Sequence, residues 1–147
     1  MKKYITIALM AIISFAIISC SSDDNGVSIS DNQLVGVWEL TKMETYIEYK
    51  GQRQQADEEF EYIREQFNSD HTYIEYEYNS YTKQWERNSN HKMTWSLAGN
   101  KLKLIIDRDE VITATITTFT KNTLELTITE KDGAVTYEEH MTFKKIE

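Results

Sequence analysis

Proline is missing from all 147 residues, cysteine occurs once and glycine only five times. A single thiol closes no internal disulfide and builds no cysteine-ligated zinc or iron–sulfur site, so stability has to come from packing and backbone hydrogen bonds. Gly26, Gly36, Gly51, Gly99 and Gly133 are scattered, mostly at expected turns, and no proline-rich linker or internal repeat divides the chain. Cations are scarce too, with 16 Lys and Arg against 24 Asp and Glu and a net charge of −8. That balance excludes the basic footprint of a nucleic-acid partner or of a protein that lies on anionic lipid. Catalytic motifs are equally thin. His71, His91 and His140 show no ligand spacing such as H-x-x-x-H, and no Gly-x-Ser-x-Gly, phosphate loop or paired-carboxylate pattern occurs. Glu59, Glu61, Glu75 and Glu77 read as a solvated strand face. The expectation is a protein that is no enzyme and needs no cofactor or metal.

What is present begins with a leader. Lys2 and Lys3 precede an apolar run from Ile5 to Ile18, broken only by Thr6 and Ser14. The run is short for a bilayer span, which takes ~20 residues, and it lies where a cleaved signal lies; an uncleaved transmembrane anchor is the alternative. Ile17-Ile18-Ser19-Cys20 resembles the lipobox of bacterial lipoproteins. That resemblance implies a signal peptide over 1–19, lipidation of Cys20 with palmitate-like chains, and attachment to the membrane through that anchor. Acylation would consume the thiol, and loss of Lys2 and Lys3 would take the net charge from −8 to −10. The small, polar and acidic stretch after Cys20 reads as a flexible tether over 20–33, ahead of a domain over 34–147. Ser21-Ser22-Asp23-Asp24 resembles the acidic surface-export signal of Bacteroidetes lipoproteins, which implies the outer membrane, with the domain at the cell surface; the periplasmic face is the alternative.

Alternation governs the domain. Met93, Trp95 and Leu97 alternate with polar residues, Ala98-Gly99-Asn100 turns, and Leu102, Leu104 and Ile106 follow. Further strands run from Val111 to Phe119, through Leu124, Leu126 and Ile128, and from Val135 to Phe143, with Lys131-Asp132-Gly133 closing the last hairpin. In the N-terminal half, Asp31 caps a helical turn through Val35 that Gly36 stops, and Val37 to Tyr49 reads as a long first strand. Tyr62 to Asn68 and Thr72 to Tyr78 pair around Ser69-Asp70-His71, and Thr82 to Glu86 adds a short strand. Phe60, Ile63 and Phe67 also fit helical spacing. The stretch from Lys50 to Glu59 reads as a polar loop. Sequential antiparallel strands escape their edge problem by closing, so the expected fold is all-β, an up-and-down barrel of about eight strands.

Leu34-Val35-Gly36-Val37-Trp38-Glu39-Leu40 resembles the Gly-x-Trp opening of lipocalins and of bacterial lipocalin-like lipoproteins of the Bacteroidetes type, with a calycin-like barrel. Trp95 to Leu102, the threonine-rich strands and the terminal Tyr137 to Lys145 are similar to the later hairpins of that bacterial group. The resemblance implies a barrel whose tryptophan plugs the closed end. Lipocalins of the eukaryotic type carry a further helix after the barrel and an arginine over that tryptophan; here Lys144 and Lys145 precede Glu147, which points to the shorter bacterial form.

Aromatics mark the candidate site. Ile74, Tyr76 and Tyr78 share one strand face and are expected inside, with Tyr62, Met93, Trp95 and Tyr137 as further ligand-binding candidates. Tyrosine rings would stack on a small apolar or amphipathic ligand while their hydroxyls orient it. Alternatively the aromatics fill a solid barrel, and the protein is a non-catalytic structural or interaction module that docks an envelope protein partner.

Overall fold

The computed structural model describes residues 29–56, 62–88, 93–107 and 110–147. The leader, Cys20, the Ser21–Asp24 cluster, Glu59, Glu61 and His91 lie outside these residues. Among the described residues no helix is long and apolar enough to cross a membrane.

A four-residue helix, α1 (Asp31–Leu34), opens the domain. The Gln33 side chain reaches back to accept from the Ser30 backbone N–H at 2.9 Å, satisfying a donor that the helix start leaves free. Ile29 packs against the core as well, so the domain's packing reaches into the segment read as tether. Gly36 then turns the chain at φ +140°, where an added Cβ would fall 2.4 Å from the Glu147 carbonyl oxygen and 2.5 Å from Lys145 Cε. Only glycine fits that approach.

Ten strands follow: β1 (Gly36–Tyr49), β2 (Gln52–Gln55), β3 (Ile63–Phe67), β4 (Thr72–Asn79), β5 (Gln84–Arg87), β6 (Met93–Ala98), β7 (Lys101–Asp107), β8 (Glu110–Phe119), β9 (Thr123–Asp132) and β10 (Val135–Lys145). All pairings are antiparallel, and β10 returns to pair along β1 from Trp38↔Lys145 to Tyr49↔Val135, which closes the sheet. Eight strands form the wall. The other two are flaps at one end, β2 folded on the far half of β1 and β5 on the far half of β4. A bulge between Leu40 and Lys42 shifts the inward positions of β1 from Trp38 and Leu40 to Met43, Thr45 and Ile47.

Two expectations are corrected. The loop expected over Lys50 to Glu59 contains β2, whose polar sequence carries no alternation. It forms because Lys50 (φ +51°) and Gly51 (φ +77°) make a two-residue hairpin of the kind that needs positive φ at both positions. In β4 the inward face is the opposite one: Tyr73 is 2 % exposed, and Ile74, Tyr76 and Tyr78 lie outside. Aromatics occupy both faces of this strand, so alternation alone is ambiguous there. The pairing of buried Phe67 with Tyr73 decides it.

The core fills the end where the β3–β4, β6–β7 and β8–β9 turns gather. Trp38, fully buried, donates its indole N–H to the Leu34 carbonyl at 2.8 Å and stacks against Phe119. Phe67 meets both Tyr73 and Trp95, and Trp95 donates to the Asn68 carbonyl at 3.1 Å. Lys145 sits 5.0 Å from the Trp38 ring centre and donates to the Val35 carbonyl at 2.7 Å. Burial lowers its pKa.

Candidate functional site

The opposite end is hollow. Inward residues of β8, β9 and β10, namely Ile112, Ile128, Glu130, Tyr137 and Glu139, line a cavity of about 180 Å³. A second hollow of about 340 Å³ lies under the β1–β2 flap, against Ile47, Tyr49, Gln52 and Gln54. Ile47 pairs with Tyr137 across the β1–β10 ladder, so the two hollows are neighbours over the mouth of the barrel. A larger one, about 430 Å³, lies over the β4–β5 hairpin and is lined by polar residues with Tyr78 and Tyr81. The pair inside the barrel mouth combines apolar wall with a few polar groups, the composition that holds small molecules.

Lower in the barrel, facing inward from β3 and β4, Glu65 and Glu75 are direct cross-strand partners. Glu65 is 6 % exposed, between the inward Ile63 and Phe67 and opposite Trp38. Its Oε2 is buried without a hydrogen-bond partner. Tyr73 donates its hydroxyl to Glu75 Oε2 at 3.3 Å. Asn88 donates its amide to Glu75 Oε1. Burial, then the charge of Glu75, push the Glu65 carboxyl up to about 8, against a smaller lowering by Tyr73. The same burial and the two carboxylates raise the Tyr73 phenol well above its usual range.

The ligand candidates read from the sequence separate. Tyr137 lines the cavity at the mouth, and Met93 and Trp95 are buried in the interior, Trp95 as part of the closed end. Tyr76 is outside, donating to Gln66 at 3.1 Å. Tyr78 is outside too, in edge contact with Tyr62, which is 62 % exposed, and beside Trp85. Arg64 lies 4.0 Å over the Trp85 ring and pairs with Glu39 at 2.6 Å, completing an aromatic and charged stripe on the outer wall. Glu75, read as part of a solvated face, is inside. Glu65 had a signal in the sequence, a carboxylate at an inward position between Ile63 and Phe67. His71 lies in the β3–β4 turn, bonded to Asp31 at 2.9 Å and stacked on Trp95, and His140 is on the outer face of β10 against Glu138 and Tyr46. Among the described residues no group of three or more potential ligands is arranged to hold a metal.

A closed antiparallel barrel, plugged by a tryptophan at one end and hollow at the other, is the architecture of small cup-like β-barrels. Residues 34–126 match the model of the lipocalin-like domain, and the chain belongs to that family. Among solved structures it is similar to bovine odorant binding protein in complex with a selenium-containing odorant, at 15 % identity over 82 % of this chain and 75 % of that one, TM-score 0.46. The undecanal complex and the complex with the natural ligand of the same bovine protein are matched at 16 % identity, 82 % and 76 % coverage and the same TM-score. Comparison of the sequence with curated proteins returned no match.

Proposed function

We propose that the protein is a non-catalytic carrier or receptor for a small amphipathic molecule, held in the mouth of its barrel and displayed from the outer membrane by a lipid anchor on Cys20. The observation that carries the binding role is the pair of adjoining hollows, about 180 and 340 Å³, over a filled base. Ligand pockets commonly measure ~300 to 1,000 Å³, and Ile112, Ile128 and Ile47 offer apolar wall while Tyr137, Glu139 and Gln54 offer polar contacts. The anchor rests on the Ile17–Cys20 motif and the leader before it.

Native extraction followed by mass spectrometry should find a small molecule on the wild type, and none on Ile128→Trp, whose indole fills the cup. Equal recovery from a folded Ile128→Trp overturns the site. A wild type that carries nothing favours the second reading, an interaction module that docks an envelope protein through the outer Tyr62, Tyr78, Trp85 and Arg64 stripe. Cys20→Ala should leave an unlipidated precursor, and undiminished palmitate labelling of it refutes the anchor. Protease shaving of intact cells should degrade a surface domain and spare a periplasmic one.

A further inference from the structure

Charge is segregated across the barrel wall. By register, the inward-facing positions carry Glu65 and Glu75 lower in the barrel, Glu139 above them, and the exposed Glu77, Glu86 and Glu130 at the rim. Arg53, Arg64, Lys42 and Lys101 point outward, toward Glu138, Glu39, Glu44 and Thr115, while Arg87 of β5 lines the hollow over the β4–β5 hairpin together with Glu77 and Glu86. The inward cation that the ladders place is Lys145, at the closed end against Trp38. A cleft lined by one sign of charge between low-dielectric walls raises the local concentration of the opposite sign.

A net acidic surface alone would not name a ligand. The second observation is Glu65, almost wholly buried on the inner face with Oε2 unpartnered. A buried acceptor without a donor is costly, and structures retain few of them. Glu75 faces it from β4 and accepts from the Tyr73 hydroxyl, and from β1 and β6 the inward neighbours Trp38, Thr45, Met93 and Trp95 bring no charge. Among the described residues β4 pairs β6 at Thr72↔Thr94 and Tyr73↔Met93, and β5 pairs the far half of β4.

We infer that the barrel selects an organic cation, an apolar or aromatic body in the cup with its ammonium group donating to Glu65 and Glu75. This deepens the carrier reading and rests on it. An ammonium has three donors, enough for the orphan Oε2, the opposing carboxylate and a further acceptor. In the empty barrel burial and the facing Glu75 charge keep a proton on the Glu65 carboxyl, so the pair carries one negative charge. Arrival of the cation releases that proton to solvent, so affinity falls as pH drops below about 8, by up to about tenfold per pH step where one proton is displaced.

The test is calorimetric titration of the full chain, in detergent with a matched detergent blank, with 2-phenylethylamine and its neutral counterpart 2-phenylethanol. The amine should bind at least tenfold more tightly at pH 8, more weakly at pH 6, and with proton release seen as a dependence on buffer ionisation heat. Glu65→Gln should lose at least tenfold for the amine and keep its affinity for the alcohol, which also shows that the variant is folded. Equal affinity for amine and alcohol, unchanged in Glu65→Gln, overturns the cation inference and leaves the cup intact. Failure of both probes to bind wild type overturns the cup and the inference with it, and tight binding of magnesium or calcium in place of the amine overturns the inference alone.

Discussion

The closed end and the mouth of this barrel are built from the same strands, yet those strands point different chemistry inward at the two ends. At the base, Trp38, Phe67, Trp95 and Phe143 fill the volume and each indole N–H has a carbonyl to meet. Toward the mouth the inward residues are isoleucines, a tyrosine and carboxylates around hollows, and between the two ends Glu65 is left with an unpartnered oxygen. The difference teaches where each property resides. Packed, hydrogen-bonded aromatics hold the fold; unfilled space and an uncompensated buried acid store affinity for something else.

The sharpest way to break the comparison is at the base. Trp38→Ala removes a fully buried ring and strands the Leu34 carbonyl, at a cost of ~3–5 kcal/mol. Denaturant melting should show that loss, and a cost below ~1 kcal/mol would mean that the base is not the structural half. Gly36→Ala comes next. Its Cβ meets the Glu147 carbonyl oxygen at 2.4 Å on a backbone at φ +140°, so a loss of ~2 kcal/mol or more is expected. An unchanged midpoint would show that the chain beyond β10 moves aside freely.

The base is also the half that could be read without coordinates. Gly36-x-Trp38 and the alternations in β6 to β10 report a single buried face, while the irregularities at Ile105/Asp107 and Ile116/Thr118 left no mark in that pattern. Reading failed where local pattern and burial part company. Gln52–Gln55 has no apolar face, so its strand depends on the Lys50-Gly51 turn rather than on side chains. In β4 either face could be the buried one, and the choice was made by a neighbouring strand. Glu75 looked like a solvated carboxylate because composition favours exposing it. Its inward position, and the burial of Glu65 beside it, are tertiary facts set by the β3–β4 register.

The third prediction contrasts the halves by pH. The folded protein keeps a proton on Glu65 up to about 8, while an unfolded carboxyl of this type releases it near 4.5. The native state therefore binds more protons between these values, and stability from this group is full below 4.5 and is lost as pH rises through about 8. Wild type should lose on the order of a few kcal/mol across that window relative to Glu65→Gln, a neutral variant of matching shape. Chemical denaturation of both at pH 5, 6.5 and 8 measures it; parallel profiles would show that Glu65 titrates as in the unfolded chain.

The smallest effects belong to the mouth and the outer wall. Tyr137→Phe keeps the ring that lines the cavity and removes only a hydroxyl at a position 39 % exposed, so stability should change by less than ~0.5 kcal/mol. Tyr78→Ala, on the outer stripe, should be similarly mild, because Tyr62 and Trp85 lose only a partly solvated edge contact. The two variants differ in what they do to a bound molecule. If ligand sits in the cup, Tyr137→Phe weakens its retention several-fold and Tyr78→Ala leaves it unchanged; the reverse outcome would move the site to the hollow over the β4–β5 hairpin that Tyr78 and Tyr81 line.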